Sequence, residues 1–313
     1  MLAVAPRAWY AHVNPGPRHR GPLRLIGAKE RELATVLEAH VRSLARDIGV
    51  RRAGDVAALE RTVAYIQSQF VQFGCVVACL PTAHTSFVFP NVEVVLPGTF
   101  PEASEVVIGA HYDTVPGSPG ADDNASGLAV LLELARMLRI GQRTRTVRLV
   151  AFADEERNLE GSAQYARGLK EHGVRVSAMV SLEMLGYYTD VPGSQRYPLP
   201  VLRLLYPDRG DYVACVGDLA SRALVATCVA ALRRAVLLPC EGLAVPRVLK
   251  DIERSDHASF WKQGWPAVML TDTSNFRNPH YHRATDVPET LDYLRMARLT
   301  RGLVTLVERL AAP

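Results

Sequence analysis

Residues 147–153 form the apolar run Val-Arg-Leu-Val-Ala-Phe-Ala, which ends one residue before the acidic pair Glu155-Glu156. A run of this length, rich in valine, is typical of a strand buried inside a sheet. Two adjacent carboxylates at the tip of a strand repel each other unless a positive group joins them. One of them could bind a metal ion while the other, turned toward a bound water, acts as a general base. Taken alone, residues Asp154–Arg157 also suit a solvated surface turn.

Two further apolar runs end in potential metal ligands. Val106–Ala110 leads into His111-Tyr112-Asp113, and Ala178–Leu182 leads into Glu183. In open α/β sheets, functional sites form in the crevice outside the carboxyl ends of parallel strands. Strands that are distant in sequence can therefore bring these ligands together, and we expect a site of chemistry there.

Strand-like and helix-like segments alternate along the chain, which predicts an α/β sandwich with a largely parallel sheet. Strands are predicted at about 90–97, 105–110, 146–153, 176–184 and 265–271. Helices are predicted at about 28–48, 55–73, 126–140, 161–172, 218–234 and 291–310.

Two segments lack a regular period. Residues 1–24 are rich in Pro, Arg and His, and we expect an extended or flexible N-terminal arm there, followed by a single catalytic domain over residues 25–313. Residues 187–212 form an irregular stretch of Pro, Gly and Tyr that is long for a simple connection. Long irregular loops are often functional, so this segment is the candidate wall of a specificity pocket.

Composition limits the possible partners. The 313 residues are 48% hydrophobic and carry a formal net charge of only +4, spread along the chain, so we expect no nucleic-acid partner. No apolar stretch approaches the roughly 20 residues that span a bilayer, and we expect no membrane partner. The start of the chain lacks the features of a signal peptide, and the five cysteines show no metal-type spacing. These features favour a cytoplasmic protein with reduced, buried cysteines.

Four motifs occur in one order along the chain: Gly109–Thr114, Gly120–Gly127, Asp154–Glu156, and Tyr281-His282 near Asp286. Over residues 28–311 the chain resembles the zinc-dependent exopeptidases of the co-catalytic di-zinc aminopeptidase family, which also contains glutamate carboxypeptidases and glutaminyl cyclases. The resemblance implies a three-layer sandwich in which helices flank a central mixed, largely parallel sheet. It also implies a peptide substrate and two zinc ions per chain.

The resemblance implies a role for each matching residue. Glu155 matches the general base, and Asp123 matches a carboxylate that bridges two cations. The implied ligands are His111, Asp123 and Glu183 on one zinc, and Asp123, Glu156 and His282 on the other. Nitrogen and oxygen donors without cysteine suit zinc, although cobalt and manganese also fit.

Several of these positions have an alternative interpretation. The turn that contains Asp123 could simply cap a helix. Glu183 stands where many relatives carry aspartate, and it could instead be a buried glutamate paired with an arginine. His280 is the alternative to His282. Tyr281 matches a phenol that hydrogen-bonds the developing oxyanion, or it is a tyrosine that merely packs.

Four more residues are expected to support the ligands. Asp113 lies two residues after His111 on the same side of an extended segment, which suits a carboxylate that holds the imidazole in one tautomer. Asp256 and His257 match a family segment near the metals, or they cap a helix. Asp286 follows the last motif, and Asp122 is interpreted as structural.

We therefore expect an exopeptidase, and specifically an aminopeptidase that hydrolyses the N-terminal peptide bond through a metal-bridging water with Glu155 as the general base. A glutaminyl cyclase, which uses one zinc in this family, and a carboxypeptidase are the alternative enzymes. A non-catalytic binding protein on the same fold is the alternative outside enzymes, but such proteins usually lose ligands or the base.

Overall fold

The computed structural model describes residues 4–19, 21, 23–82, 89–235 and 238–313. These residues form a sheet of eight strands in the order β1-β2-β4-β3-β5-β8-β6-β7. The strands are β1 Val77–Pro81, β2 Pro90–Leu96, β3 Glu105–His111, β4 Val147–Phe152, β5 Val176–Glu183, β6 Val213–Asp218, β7 Cys240–Val245 and β8 Ala267–Thr271. The helices are α1 Val4–Val13, α2 Ala28–Arg42, α3 Val56–Gln72, α4 Gly127–Leu138, α5 Glu160–Glu171, α6 Arg222–Ala235, α7 His257–Lys262 and α8 Tyr293–Leu310.

The centre of the sheet is parallel. Strands β4, β3, β5 and β8 run in the same direction, while β1, β2 and β6 each form an antiparallel pair with a neighbour. His111, the last residue of β3, lies opposite Phe152, the last residue of β4. The residues that follow β3, β4 and β5 therefore lie close together at the carboxyl ends of these strands, as the sequence predicts.

Helices cover both faces of the sheet and make the fold a three-layer sandwich, which confirms the predicted fold class. Val106, Ile108 and Ala110 of β3 pack into the core under α2, α3, α4, α6 and α8. Val107 faces the other way, into a smaller core under α5 and α7. Both faces of β3 are buried, which explains its continuous apolar sequence. Within the described residues, we find no helix that is both long and apolar enough to cross a bilayer.

Local sequence signals set the limits of several helices. The side chain of Asp55 caps α3 by accepting a hydrogen bond from the backbone N–H of Ala58 at 3.1 Å. After α3 the chain turns at Gly74, whose φ of 77° favours glycine. Asp292 caps α8 in the same way as Asp55, by accepting from the N–H of Arg295 at 2.9 Å.

The expectation of an extended or flexible N-terminal arm is wrong for residues Val4–Val13. Residues Val4–Val13 form helix α1, which packs against α6 and β7. Asn14 is buried and pairs with the backbone of Gly242, donating to its carbonyl at 2.8 Å and accepting from its N–H at 2.7 Å. The segment thus occupies hydrogen-bonding groups on the edge strand β7, which an open sheet would leave exposed. Residues 1–3, 20 and 22 of the predicted arm lie outside the described residues.

Strands β1, β6 and β7 and helix α7 are not among the predicted elements, and the predicted helix over 218–234 begins later, at Arg222, because Asp218 ends β6. The cysteine prediction holds for Cys215, Cys228 and Cys240, which are buried, and fails for the exposed Cys79.

Replacing Asn14 by alanine leaves the N–H of Gly242 without its side-chain partner, and we expect Asn14→Ala to lower the free energy of unfolding by about 2 kcal/mol. Chemical denaturation of the two proteins measures this loss. Arg7→Ala, at an exposed position of the same helix, is the control and should be neutral. Equal stability of Asn14→Ala and the unmutated chain would show that the segment is not docked on β7 in solution.

Candidate active site

Five potential metal ligands come together at the carboxyl ends of the central strands. His111 ends β3, Glu156 follows β4, and Glu183 ends β5. Asp123 lies in the irregular turn Ala121–Ser126 that precedes α4, and His282 lies in the segment after β8. The ligand set expected from the motifs is therefore assembled from five different parts of the chain.

One group of donors surrounds His111. Its Nε2 lies 3.3 Å from Oδ1 of Asp123 and 3.4 Å from Oε2 of Glu183. A carboxylate oxygen of Glu155 lies within 4.8 Å of donor atoms of both His111 and Glu183. All four side chains are buried, so this group is enclosed rather than solvated.

A second group surrounds His282. Its Nε2 lies 3.1 Å from Oδ2 of Asp123 and 3.5 Å from Oε2 of Glu156. Asp123 therefore directs one carboxylate oxygen to each histidine, as a carboxylate shared by two cations must. His280, the alternative, points instead to Thr285, with its Nδ1 3.0 Å from the Thr285 hydroxyl.

Burial shifts the titration of the acidic side chains. It raises the pKa of Glu155 well above the usual range, and with the neighbouring charge of Asp123 it raises the pKa of Glu156 to about 9. Burial would also raise the pKa of Asp123, but the neighbouring imidazoles of His111 and His282 lower that pKa below the usual range. The cluster holds more acidic groups than the two histidines can neutralise, which favours the binding of cations.

The donor atoms fit a divalent metal. Within the described part of the chain, Nε2 of His111 and Oε1 of Glu156 are buried and have no hydrogen-bond partner. Buried polar atoms of this kind normally have one, so the lack of a partner at both atoms requires an explanation. Imidazole and carboxylate donors suit zinc and, less selectively, other first-row metals.

Asp113 supports the site differently from the expectation. Nδ1 of His111 is closer to the backbone carbonyl of Asp113, at 3.2 Å, than to its carboxylate, at 3.6 Å. The carboxylate accepts hydrogen bonds from the backbone N–H groups of Glu155 at 3.0 Å and Glu156 at 3.2 Å. Asp113 therefore holds the backbone of the acidic pair next to His111.

Asp286 performs the same task for the turn that contains Asp123. Its two carboxylate oxygens accept from the N–H groups of Asp122 at 2.9 Å and Asp123 at 3.1 Å. Asp122 is structural, as interpreted from the sequence: its carboxylate accepts from the N–H of Gly186 at 2.8 Å and from the side-chain amide of Asn278 at 2.7 Å.

The remaining predicted residues divide between the site and its surroundings. Glu183 accepts a hydrogen bond from the Ser255 hydroxyl at 2.7 Å, and its ion-pair partner among the described residues is His111 rather than an arginine. Asp256 is fully buried, and burial raises its pKa to about 7. His257 lies in the packing behind the site, since its Nε2 is 2.7 Å from the carbonyl of Ile252 and its ring meets Trp261 edge-on.

Tyr281 lies at the border between the ligand cluster and a pocket. Its ring stacks on His282 with the centroids 3.8 Å apart, and its hydroxyl accepts a hydrogen bond from Nη2 of Arg254 at 2.8 Å. A bond accepted by the phenol oxygen leaves the O–H proton available to donate.

A pocket lies beside Tyr281, which is one of its lining residues. Side chains of three strands form its floor, and they include Ala214 and Val216 of β6, Leu243 of β7 and Met269 of β8. Segment 187–212 contributes the wall residues Tyr197, Tyr206 and Tyr212. Glu183 also lines the pocket, which therefore opens onto the ligand cluster.

The sequence interpretation missed Arg51, which is completely buried. Its guanidinium donates hydrogen bonds to the backbone carbonyls of Leu44, Gly49, Tyr112, Pro119 and Gly120, at 2.8–3.0 Å. Burial lowers its pKa to about 10, so it stays charged near neutral pH. The residue thereby ties the chain before α3 to the backbone just after His111 and just before the turn that contains Asp123. An arginine after a predicted helix gives no signal of such a role, because its partners are backbone groups of distant segments.

Comparisons with known proteins agree with this geometry. The family model described as peptidase family M28 matches residues 91–307. The uncharacterized protein YfbL of Escherichia coli (strain K12) is 36% identical over 312 residues, which cover 96% of this chain and 91% of that protein. Leucine aminopeptidase 1 of Trichophyton equinum is 29% identical over 70% of this chain and 58% of that protein, so the chain spans less than two thirds of its length. These matches confirm the family resemblance drawn from the four motifs.

Solved structures share the fold at low sequence identity. The LapA aminopeptidase of Legionella pneumophila superposes with a TM-score of 0.73 at 22% identity, covering 94% of this chain and 78% of that one. The zinc aminopeptidase BSAP of Bacillus subtilis gives a TM-score of 0.72 at 17% identity, covering 92% and 97%. The glutaminyl cyclase of Porphyromonas gingivalis gives 0.66 at 18% identity, covering 88% and 98%.

Arg51→Met removes the donors of five backbone carbonyls, and we expect it to lower the free energy of unfolding by about 4 kcal/mol. Denaturant unfolding of the purified variant measures the loss. Arg52→Met is the matched control, because the neighbouring Arg52 is exposed and should tolerate the change. Equal stability of the two variants would contradict the role given to Arg51.

Proposed function

This chain belongs to peptidase family M28, and from that premise we propose that it is a zinc-dependent aminopeptidase that hydrolyses the N-terminal peptide bond of its substrate. Membership makes it a metallo-exopeptidase, a hydrolase. The observation that carries the finer proposal is the position of Asp123, which directs one carboxylate oxygen to each of two histidine-containing groups, with Glu155 beside it.

We propose that two zinc ions bind per chain. His111, Asp123 and Glu183 would hold one ion, and Asp123, Glu156 and His282 would hold the other. When bound, the ions would acidify a water held between them and polarise the carbonyl of the scissile bond. Nε2 of His111 and Oε1 of Glu156 support this proposal, since each is a buried atom of a metal-binding type that has no hydrogen-bond partner.

Glu155 is proposed as the general base. Its carboxylate lies beside the His111 group, and its backbone N–H is fixed by Asp113. From this position it would accept a proton from the attacking water and pass it to the leaving amine, acting first as a base and then as an acid. Asp113 and Asp286 are proposed as positioning residues, because they hold the backbone of the reactive side chains.

Tyr281 is proposed to stabilise the oxyanion that forms as the peptide carbonyl is attacked. Arg254 and His282 fix the phenol in place through the hydroxyl hydrogen bond and the stacked ring. The O–H can then donate toward the pocket, where the developing charge would lie.

The pocket is proposed to receive the side chain of the first residue of the peptide. Its floor is mainly apolar and its wall carries three tyrosines, so it suits an apolar side chain. Segment 187–212, expected from the sequence to shape specificity, supplies that wall.

Zinc content per chain, measured together with hydrolysis of a panel of aminoacyl and N-blocked chromogenic substrates, tests the proposed function. We expect about two zinc ions and cleavage of free-amine substrates alone. Cleavage of C-terminal bonds in N-blocked peptides would indicate a carboxypeptidase, and one zinc with cyclisation of N-terminal glutamine would indicate a glutaminyl cyclase. Failure to bind metal after zinc is supplied would overturn the site assignment.

The adjacent pair Glu155 and Glu156 allows a matched test of the two roles. We expect Glu155→Gln to lower kcat by about 10³-fold while zinc content stays unchanged, because only the proton acceptor is lost. Glu156→Gln should instead lower zinc content, because a metal ligand is weakened. Turnover by Glu155→Gln and metal analysis of both variants measure these effects. Full activity of Glu155→Gln, or full zinc content of Glu156→Gln, would show that the roles are misassigned.

Tyr281→Phe should lower kcat by about 10²-fold with a small change in KM, because the donor acts on the charge that develops during the reaction. Steady-state kinetics on a free-amine substrate measures the two constants. Tyr187→Phe is the control, since Tyr187 lies near His280 and away from the ligand carboxylates. An unchanged kcat for Tyr281→Phe would show that Tyr281 only packs against its neighbours.

A further inference from the structure

A carboxylate, Glu241, lies in the mainly apolar floor of the pocket. Glu241 and Leu243 alternate along β7 and both line the pocket, beside Ala214 and Val216 of the neighbouring strand β6. The side chain of Glu241 is only 2% exposed. A buried carboxylate is costly unless it is paired, and an unpaired one would attract a cation into the pocket.

Three side chains hold the Glu241 carboxylate, and two of them come from the N-terminal segment, defined as Val4–His19. Oε1 accepts from Nε of Arg18 at 2.6 Å. Oε2 accepts from the hydroxyl of Tyr10 at 2.5 Å and from Nη2 of Arg233 at 3.0 Å. Two positive charges therefore face one negative charge at the floor of the pocket.

The N-terminal segment also contacts the pocket wall. Nη2 of Arg18 donates to the carbonyl of Leu205 at 2.9 Å, and the ring of Tyr10 meets the ring of Tyr206 edge-on at 5.3 Å. Arg18 and Glu241 both line a second cleft, outside the pocket, together with Asp190 and Arg295. Arg18 thus reaches Glu241 from the side of that second cleft, while the pocket side stays open to a substrate.

We propose that Arg18 is a specificity-determining residue that neutralises Glu241 from outside the pocket, so that the pocket admits apolar first side chains and rejects cationic ones. The inference rests on the proposed aminopeptidase function. With Arg18 in place, both carboxylate oxygens are occupied and the excess positive charge opposes a lysine or arginine side chain. Without Arg18, Oε1 loses its donor, and the head group of a basic substrate side chain can replace it.

The full chain carrying Arg18→Met tests the proposal, because methionine keeps much of the side-chain length and removes the charge. We expect the ratio of kcat/KM for a lysyl substrate to that for a leucyl substrate to rise at least fivefold, mainly through a lower KM for the lysyl substrate. The kcat for an alanyl substrate and the zinc content should stay within twofold of the wild type. Arg7→Met, an exposed arginine of the same segment, is the control and should leave the ratio unchanged.

Two further variants identify the group responsible. In Arg18→Met combined with Glu241→Gln, the gain for the lysyl substrate should disappear, because the carboxylate that would receive the cation is absent. Arg18→Gln can still donate to Oε1 but has no charge, and its ratio should lie between those of the wild type and Arg18→Met. It also serves as the test if Arg18→Met does not fold.

A binding readout separates this inference from the proposed function. L-lysinamide and L-leucinamide should each raise the melting temperature of the protein, and the difference between them should shift toward lysinamide in Arg18→Met. Absence of turnover by the wild type would overturn the aminopeptidase proposal while this thermal comparison still tests the pocket. An unchanged substrate ratio and an unchanged thermal preference in Arg18→Met would overturn the inference.

Discussion

The structure depends on the burial of several carboxylates at the carboxyl ends of the central strands. Asp123, Glu155 and Glu183 are each less than 10% exposed, and an ionised carboxylate in such a place costs several kcal/mol unless a cation or a set of donors compensates it. Backbone N–H groups near these carboxylates donate hydrogen bonds to two other acidic side chains. Asp113 and Asp286 are themselves carboxylates, yet each accepts two N–H groups and fixes a peptide segment. Asp123, Glu155 and Glu156, whose backbone N–H groups are held in this way, keep their own carboxylates for the proposed metal site.

This arrangement requires a rigid frame, and the parallel centre of the sheet provides it. Strands β3, β4 and β5 are neighbours in the sheet, so their ends lie at fixed spacings. Arg51 connects the chain before α3 to Tyr112, just after β3, and to Pro119 and Gly120, just before the turn that contains Asp123. Its cost of burial is compensated by five carbonyl acceptors. The geometry of the proposed metal ligands is thus set largely by backbone hydrogen bonds.

The sequence predicts strands β3, β4 and β5 and the polar residues at their ends because these features have local signals. Apolar runs buried on both faces mark β3, β4 and β5, and a polar residue at the end of each run marks the site. Strand β7 escaped prediction because Glu241 and Gly242 interrupt its apolar pattern. Helix α1 escaped because its partners lie more than 220 residues away: Tyr10 bonds to Glu241, and Asn14 bonds to Gly242. Contacts of this kind leave no periodic trace in the sequence.

The two sides of the sheet contribute to different regions, one to the ligand cluster and the other to the pocket. Three of the proposed ligands, His111, Glu156 and Glu183, lie at the carboxyl ends of β3, β4 and β5. The pocket floor instead includes β6, which runs antiparallel to β8, and the edge strand β7. Glu183 belongs to both, since it contacts His111 and also lines the pocket. Because the two regions share so few side chains, the charge at Glu241 can change without moving the ligand cluster. Under our proposal, the N-terminal segment docked on β7 therefore tunes which side chain enters the pocket and leaves the proposed catalytic groups as they are.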